Sequence, residues 1–421
     1  MQTHLAPEFK GTADGEAAEA ILRKCVHCGF CTATCPTYQL LGDELDGPRG
    51  RIYLMKQVLE GAEVTRKTQL HLDRCLTCRN CESTCPSGVE YGHLVDIGRR
   101  IVEERVERPA SERAMRWLLK EGLTSPLFAP AMAVGQRVRG LLPATLKAKV
   151  PAPSGPGAHR WPTRSHPRRV LMLMGCVQPA MMPNINSATA RVLDAAGIQT
   201  LVSDGAGCCG AIRSHLNDHE GGLADMRRNI DAWWPLVEGL TSQGQVEAIV
   251  TNASGCGVAV KEYGHALAGD PAYAEKARRV SALARDLSEL LPDIAPALKS
   301  RLGRRGLGPQ VPRRLAYHPP CTLQHGQQLR GGVETHLAAL GFEIDKAPSD
   351  SHLCCGSAGT YSVLQPALAT QLRDRKLEAL APVGGEVIVS ANIGCIQHLQ
   401  SGTTTPVKHW VEVLDEALAA G

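Results

Sequence analysis

Sixteen cysteines are the residues in this 421-residue sequence whose type and spacing could do chemistry. Eight of them fall in two runs. The first reads Cys25-Val-His-Cys28-Gly-Phe-Cys31-Thr-Ala-Thr-Cys35-Pro36, and the second reads Cys75-Leu-Thr-Cys78-Arg-Asn-Cys81-Glu-Ser-Thr-Cys85-Pro86. Both are C-x2-C-x2-C-x3-C-P, the spacing by which thiolates hold [4Fe–4S] clusters in pairs. Three thiolates at steps of three wrap a loop around three corners of a cubane. The fourth sits too far along to close the same cube and reaches the cluster of the other run. The pattern predicts one cluster on Cys25, Cys28, Cys31 and Cys85, and a second on Cys75, Cys78, Cys81 and Cys35. The chemistry is then one-electron transfer. Disulfides would need an oxidising compartment, and nothing at the N-terminus looks like an export signal. Zinc prefers two C-x2-C pairs and would leave half of these thiols unused.

The other eight cysteines follow a second pattern. From Arg169 onward the chain repeats itself, at a period too long for a solenoid. Val170-Leu-Met-Leu-Met-Gly-Cys176 matches Leu315-Ala-Tyr-His-Pro-Pro-Cys321, and Ala195-Ala-Gly-Ile-Gln-Thr-Leu201 matches Ala339-Leu-Gly-Phe-Glu-Ile-Asp345. Gly207-Cys208-Cys209-Gly210 then matches Leu353-Cys354-Cys355-Gly356, and Glu247 to Cys256 matches Glu386 to Cys395, in the same order. This is a duplicated domain. Each copy alternates short β-branched runs with helical patterns such as Thr189–Ala196 and Val333–Leu340, which argues for an α/β unit with parallel strands. Each cysteine follows a strand or sits in the loop after one, and in open parallel sheets those loops form the binding crevice.

Four thiols therefore converge in each copy: Cys176, Cys208, Cys209 and Cys256 in the first, and Cys321, Cys354, Cys355 and Cys395 in the second. Gly210, Gly255, Gly356 and Gly394 flank them, as expected where backbone must approach a metal centre. Three occupants compete for each set: further iron–sulfur, a structural zinc, or nothing. A Cys-Cys pair such as Cys208-Cys209 can also close as a strained disulfide. His318, three residues before Cys321, is either a ligand or proton source, or the cap of a turn.

The elements that must position these residues give a multidomain fold class. A mainly α-helical, two-cluster ferredoxin-type domain spans 1–107, and a helical connector spans 108–168. Two duplicated α/β Cys-Cys-Gly domains follow at 169–300 and 311–421. Residues 1–20 read as a loose leading arm. The stretch from Pro48 to Lys56 opens a helix ending near Glu60, and its Arg49 and Arg51 either place positive charge near a cluster or simply begin a solvated helix. A further helix is expected from Leu94 to Glu107, with Ile97, Ile101 and Val102 on one face. In the connector, Arg113–Glu121 and Val134–Val150 are short basic amphipathic stretches. They could lie on an anionic membrane surface, although packing on their own domain is the commoner fate. Residues 151–167 are rich in Pro, Gly, Ser and His.

Composition narrows the partners. The formal charge is +4, and each oxidised cluster with four thiolates adds about −2. The loaded chain is close to neutral and keeps no basic stripe for nucleic acid. Sixteen cysteines without a signal peptide indicate a reducing, cytoplasmic setting and metal binding. No apolar run approaches about 20 residues, so contact with the inner face of a membrane would run through a surface helix or a partner. Aromatic residues make up only 4%, which leaves Ala, Val, Leu and Ile to build the cores.

With both cysteine patterns in hand, the chain resembles the glycolate oxidase iron–sulfur subunit family over nearly its whole length, from Cys25 to Cys395. It is similar also to the iron–sulfur component of anaerobic glycerol-3-phosphate dehydrogenase and to the lactate-utilisation iron–sulfur protein. The segment from Tyr317 to Gln327 looks most like the glycolate oxidase branch. The resemblance implies an oxidoreductase subunit with two [4Fe–4S] clusters. A partner FAD subunit would oxidise glycolate to glyoxylate, and this chain would carry the electrons toward a quinone or another acceptor. The sequence agrees in having no strand-to-helix G-x-G-x-x-G and no nucleophile or base constellation of its own.

The Cys-Cys-Gly domain also resembles one found in heterodisulfide reductase, which holds noncubane clusters and closes each such domain with a fifth cysteine in C-x-x-C. Here those positions are Ala253 and Asn392, which argues against disulfide reduction. A contrasting role for the two domains is a docking scaffold, stiffened by zinc or free of metal, with the ferredoxin-type part as the sole redox element.

Overall fold

The computed structural model describes residues 1–155, 157–303 and 306–420. The N-terminal part is helical because its apolar residues recur at helical spacing and its helices are well started. Thr12 caps Ala13–Lys24 by accepting from the Gly15 N–H, and a proline opens Pro48–Leu59. These pack with Arg66–Asp73 and Tyr91–Arg105 around Leu22, Met55, Leu59, Leu72, Leu94 and Val95. Ile97, Ile101 and Val102 lie on the buried face, as their spacing predicted.

The leading arm is not loose. Leu5, Ala6 and Phe9 are buried in this same core, and the Met1 ammonium donates to the carbonyls of Leu22 (3.1 Å) and Cys25 (2.7 Å). Both carbonyls lie at the C-terminal end of Ala13–Lys24, where a cation is well placed. Polar neighbours in the sequence masked the three apolar residues.

Each duplicated copy is a four-stranded parallel sheet. In the first, β1 (Arg168–Met172), β2 (Ile198–Leu201), β3 (Ala248–Thr251) and β4 (Ala284–Asp286) lie in the order β2-β1-β3-β4, with Val170 opposite Ala248. In the second, β5 (Arg314–Tyr317), β6 (Glu343–Lys346), β7 (Val387–Ser390) and β8 (Val407–His409) repeat it as β6-β5-β7-β8, with Leu315 opposite Val387. The helices Pro183–Ala195 and Gly332–Ala339 join the first two strands of each copy. Strand order reverses between β1 and β3 and again between β5 and β7, so the crevices open at the carboxyl ends of these pairs.

The two copies share one core, which runs from Val170, Ile185 and Val192 through Leu298 to Leu315, Ile396 and Trp410. Pro183–Ala195 lies on Trp410–Ala420, and Arg191 forks onto Asp415 at 2.9 and 2.7 Å.

The connector forms the helices Ala110–Thr124 and Phe128–Arg137, then shorter pieces at Arg139–Leu141 and Ala144–Lys147. The expected stretch to Val150 is broken because Pro143 cannot continue a helix. Neither of the two longer helices contains a buried residue. Phe128–Arg137 lies against the helix Gln178–Met181, whereas Ala110–Thr124 leaves Trp117 and Leu118 exposed and touches the body through polar links such as Arg213 to Glu121 at 3.0 Å.

Candidate metal centres

Short loops and single helical turns carry the first eight cysteines. In each run the third cysteine sits on a short helix, Phe30–Ala33 or Asn80–Thr84, started by a left-handed residue, Gly29 or Arg79. That turn bends the loop back, so the three thiols face one space. Two cavities result. One is lined by Cys25, Cys28, Cys31 and Cys85, with Cys81 and Tyr91 at its back. The other is lined by Cys35, Cys75, Cys78 and Cys81, with Arg51, Arg79 and Tyr91.

The titration of the thiols follows the same grouping. Burial and the neighbouring Cys25, Cys28 and Cys85 push the Cys31 thiol up to about 11. Burial, then Cys78, Cys75 and Cys35, push Cys81 well above the usual thiol range. Each cavity thus brings together three cysteines of one run and the fourth of the other. None of the sixteen cysteines forms a disulfide.

Four thiols beside a buried guanidinium fit an anionic cluster better than a hydrated cation. Arg51 is 1% exposed, no solvated helix start. Burial opposes its charge, and Tyr91, Cys75, Cys35 and Asp46 outweigh that. Its Nε donates to the His71 carbonyl at 2.7 Å, while Asp46 receives Arg74 at 2.7 Å and Arg51 at 3.4 Å. Hydrogen bonds also reach the sulfurs of this cavity. Tyr91 donates its hydroxyl to Cys75 Sγ at 3.6 Å, the Thr77 N–H donates to the same sulfur at 3.4 Å, and Thr37 Oγ1 lies 3.3 Å from Cys35 Sγ. The outer cavity is different in kind. Cys28 is exposed, and Val26 and Phe30 beside it stand in solvent, Phe30 at 60% exposure. Arg49 lines this cavity and pairs with Glu44 at 2.6 Å.

In the duplicated copies the four thiols also converge. The neighbouring Cys176 and Cys209, with the backbone at Gly210 and Ile212, hold the Cys208 thiol well below its usual range, and Cys208, Cys256 and burial push Cys209 above it. In the second copy Cys321 Sγ is 3.7 Å from Cys354 Sγ, and the Sγ atoms of Cys355 and Cys395 lie within 4.8 Å of each other. The glycine after each Cys-Cys pair is required. Gly210 and Gly356 have φ of +91° and +87°, and an added Cβ would lie 2.8 Å from the Gly222 carbonyl or 2.6 Å from that of Ala369. The copies differ in access: all four thiols of the second are buried, whereas Cys176 and Cys256 of the first are half-buried.

Two features were not read from the sequence. Cys78 of the inner cavity packs against Cys321 and Cys354, so the second copy's thiols adjoin the ferredoxin-type domain. Ser83 Oγ meets His325 Nδ1 at 2.9 Å across the same seam. Residues so far apart in sequence carry no local signal of such a contact. The first copy meets the domain elsewhere, where Arg79 forks onto Glu262 (2.9 Å for the Nη2 bond) and His93 stacks on His265. His318, one of the candidates, caps no turn: it is buried and both of its ring nitrogens lack a hydrogen-bond partner.

Comparison with known proteins agrees with this layout. The family model described as 4Fe-4S dicluster domain matches residues 21–89, and the one described as cysteine-rich domain matches residues 170–261 and 315–400. These matches indicate iron–sulfur clusters. The chain is 57% identical to the glycolate oxidase iron–sulfur subunit of Escherichia coli over 99% of both chains. It is 30% identical to a probable glycolate oxidase iron–sulfur subunit of Bacillus subtilis, covering 94% of this chain and 91% of that one. Lactate utilization protein A of Geobacillus thermodenitrificans is 27% identical over 59% of this chain and 98% of its own. Full-length similarity at this level, on top of two sets of crossed cysteines and a duplicated Cys-Cys-Gly unit, means that the chain belongs to the family of glycolate oxidase iron–sulfur subunits.

Proposed function

We propose that this chain is the electron-transfer subunit of a glycolate oxidase complex. The pair of four-thiol cavities carries the reading, together with the full-length similarity to the E. coli subunit. One [4Fe–4S] cluster is held by Cys25, Cys28, Cys31 and Cys85, the other by Cys75, Cys78, Cys81 and Cys35. When bound, such clusters take up and pass on single electrons.

The chain's own residues set the direction and reach of that transfer. The open edge at Cys28, Val26 and Phe30 lets a neighbouring subunit's cofactor come close. Tyr91 and Cys81 line both cavities, so the step inward is short. Arg51 and the donors on Cys75 and Cys35 stabilise added negative charge in the inner cavity.

The substrate is oxidised on a partner subunit carrying FAD, and electrons leave toward a quinone or another acceptor. The exposed apolar face of the connector helices suits contact with that partner or with the inner face of the cytoplasmic membrane. Among the described residues no helix is long and apolar enough to cross a membrane. The chain divides at 1–107, 108–168, 169–300 and 311–421, and the cysteines of the last two segments are further metal or cluster positions.

The test is anaerobic reduction of the co-purified complex, followed by electron paramagnetic resonance. Glycolate should reduce two cluster signals in the wild type, and Cys28→Ser and Cys78→Ser should each lose one. Reduction by lactate but not by glycolate would reassign the substrate, and a chain that stays colourless on reconstitution would overturn the reading.

A further inference from the structure

The second Cys-Cys-Gly copy buries a histidine for which electron transfer has no use. The His318 N–H extends the β5 ladder by donating to the Val389 carbonyl at 2.8 Å, and in the first copy the Leu173 N–H donates to the Val250 carbonyl at 3.0 Å. The two residues therefore occupy equivalent positions, both buried. Leucine is what so apolar a place calls for. An imidazole there takes two polar nitrogens out of water, and neither finds a partner, although buried polar groups in proteins are nearly always paired.

What His318 does have nearby is sulfur. One of its nitrogens and the Sγ atoms of Cys355 and Cys395 all lie within 4.8 Å of one another.

We propose that His318, Cys355 and Cys395 hold one divalent, thiophilic ion of the zinc class in the second Cys-Cys-Gly domain, and that the first domain, with Leu173 in the histidine's place, holds no such ion. Two thiolates, a neutral imidazole and a doubly charged cation sum to zero, as a fully buried site requires. A mixed nitrogen and sulfur donor set suits zinc, whereas [4Fe–4S] clusters draw on cysteine thiolates throughout. The site narrows the occupancy proposed for these cysteines and is independent of the two clusters, so its loss leaves iron unchanged.

The full chain, purified with its iron and supplied with zinc, is dialysed against a weak chelator. Zinc and iron are then counted by plasma mass spectrometry, and the zinc neighbours are identified by X-ray absorption. The wild type should keep about one zinc per chain, bound by nitrogen and sulfur. His318→Leu, which copies the first domain, and Cys395→Ser should lose zinc and keep iron, whereas Cys256→Ser should keep zinc. A wild type holding less than about a tenth of an equivalent of zinc, zinc retained in His318→Leu, or an all-sulfur shell would overturn the proposal. If His318→Leu also sheds iron through misfolding, the wild-type shell decides: nitrogen beside zinc supports the site, and sulfur alone refutes it.

Discussion

Removing a single hydroxyl tests the assignment of the inner cavity. Tyr91 is 4% exposed, and its hydroxyl donates to Cys75 Sγ at 3.6 Å. Tyr91→Phe keeps the ring between the two cavities and deletes only the donor. A reduced cluster carries one more negative charge than an oxidised one, so a hydrogen bond onto its sulfur favours reduction. Losing the bond must lower the potential. A net hydrogen bond is worth about 0.5–1.5 kcal/mol. With about 1.36 kcal/mol and about 59 mV per tenfold for one electron, that becomes about 20–65 mV. The lower half of that range is expected, because the Thr77 N–H stays on the same sulfur at 3.4 Å. The assay is a redox titration of the full chain read by electron paramagnetic resonance, with the outer cluster as internal reference. A rise in potential, an equal shift in both clusters, or a shift below about 10 mV would refute the reasoning.

Other perturbations probe the frame around the cavities. Burial pushes the Glu262 carboxyl up, but the His93 ring 3.6 Å away and the bonds from Arg79 hold it down to about 2. A depressed carboxylate lends stability above its unfolded value, near 4.5, and loses it as pH falls toward 2. The contribution is at most about 3 kcal/mol. The difference in unfolding free energy between wild type and Glu262→Gln should therefore narrow from about pH 6 to about pH 3.5, and a constant difference would contradict it. Gly356→Ala should destabilise the second copy by about 2–5 kcal/mol, from a positive φ and a clash with the Ala369 carbonyl. Thermal unfolding with iron retention checks this. Arg51→Met should remove the bonds to the His71 carbonyl, Thr37 and Asp46, and because Arg74 still pairs Asp46 at 2.7 Å it should cost about 1–3 kcal/mol, seen as loss of the inner cluster's signal before the outer's; equal loss of both would argue against it.

What the sequence disclosed and what it withheld divide by distance along the chain. The cysteine spacings are local, and they foretold both cavity linings, because steps of three residues dictate which thiols share a loop. The parallel sheets were legible for the same reason, since β-branched runs such as Val387–Ser390 alternate with helical ones. The packed arm at Leu5 and Phe9 was missed because three apolar residues among polar ones make no period. Arg51 read equally as a charge near a cluster or as a solvated helix start, and only the fold brings Asp46, Thr37 and the His71 carbonyl around it. The seam between Cys78 and Cys321 joins residues with no local relation, so no window of sequence could report it.

The shared core of the two copies has a consequence during synthesis. Ile185 and Val192 on Pro183–Ala195 find their cover on Trp410–Ala420, which the ribosome makes far later. Until that helix emerges, the first copy carries a greasy flank with no mate, while the cysteines upstream are already complete and able to collect iron. Loading of the upstream domain can thus run ahead of closure of the body. A nascent chain stalled before Trp410 would be a ready target for chaperones and proteases.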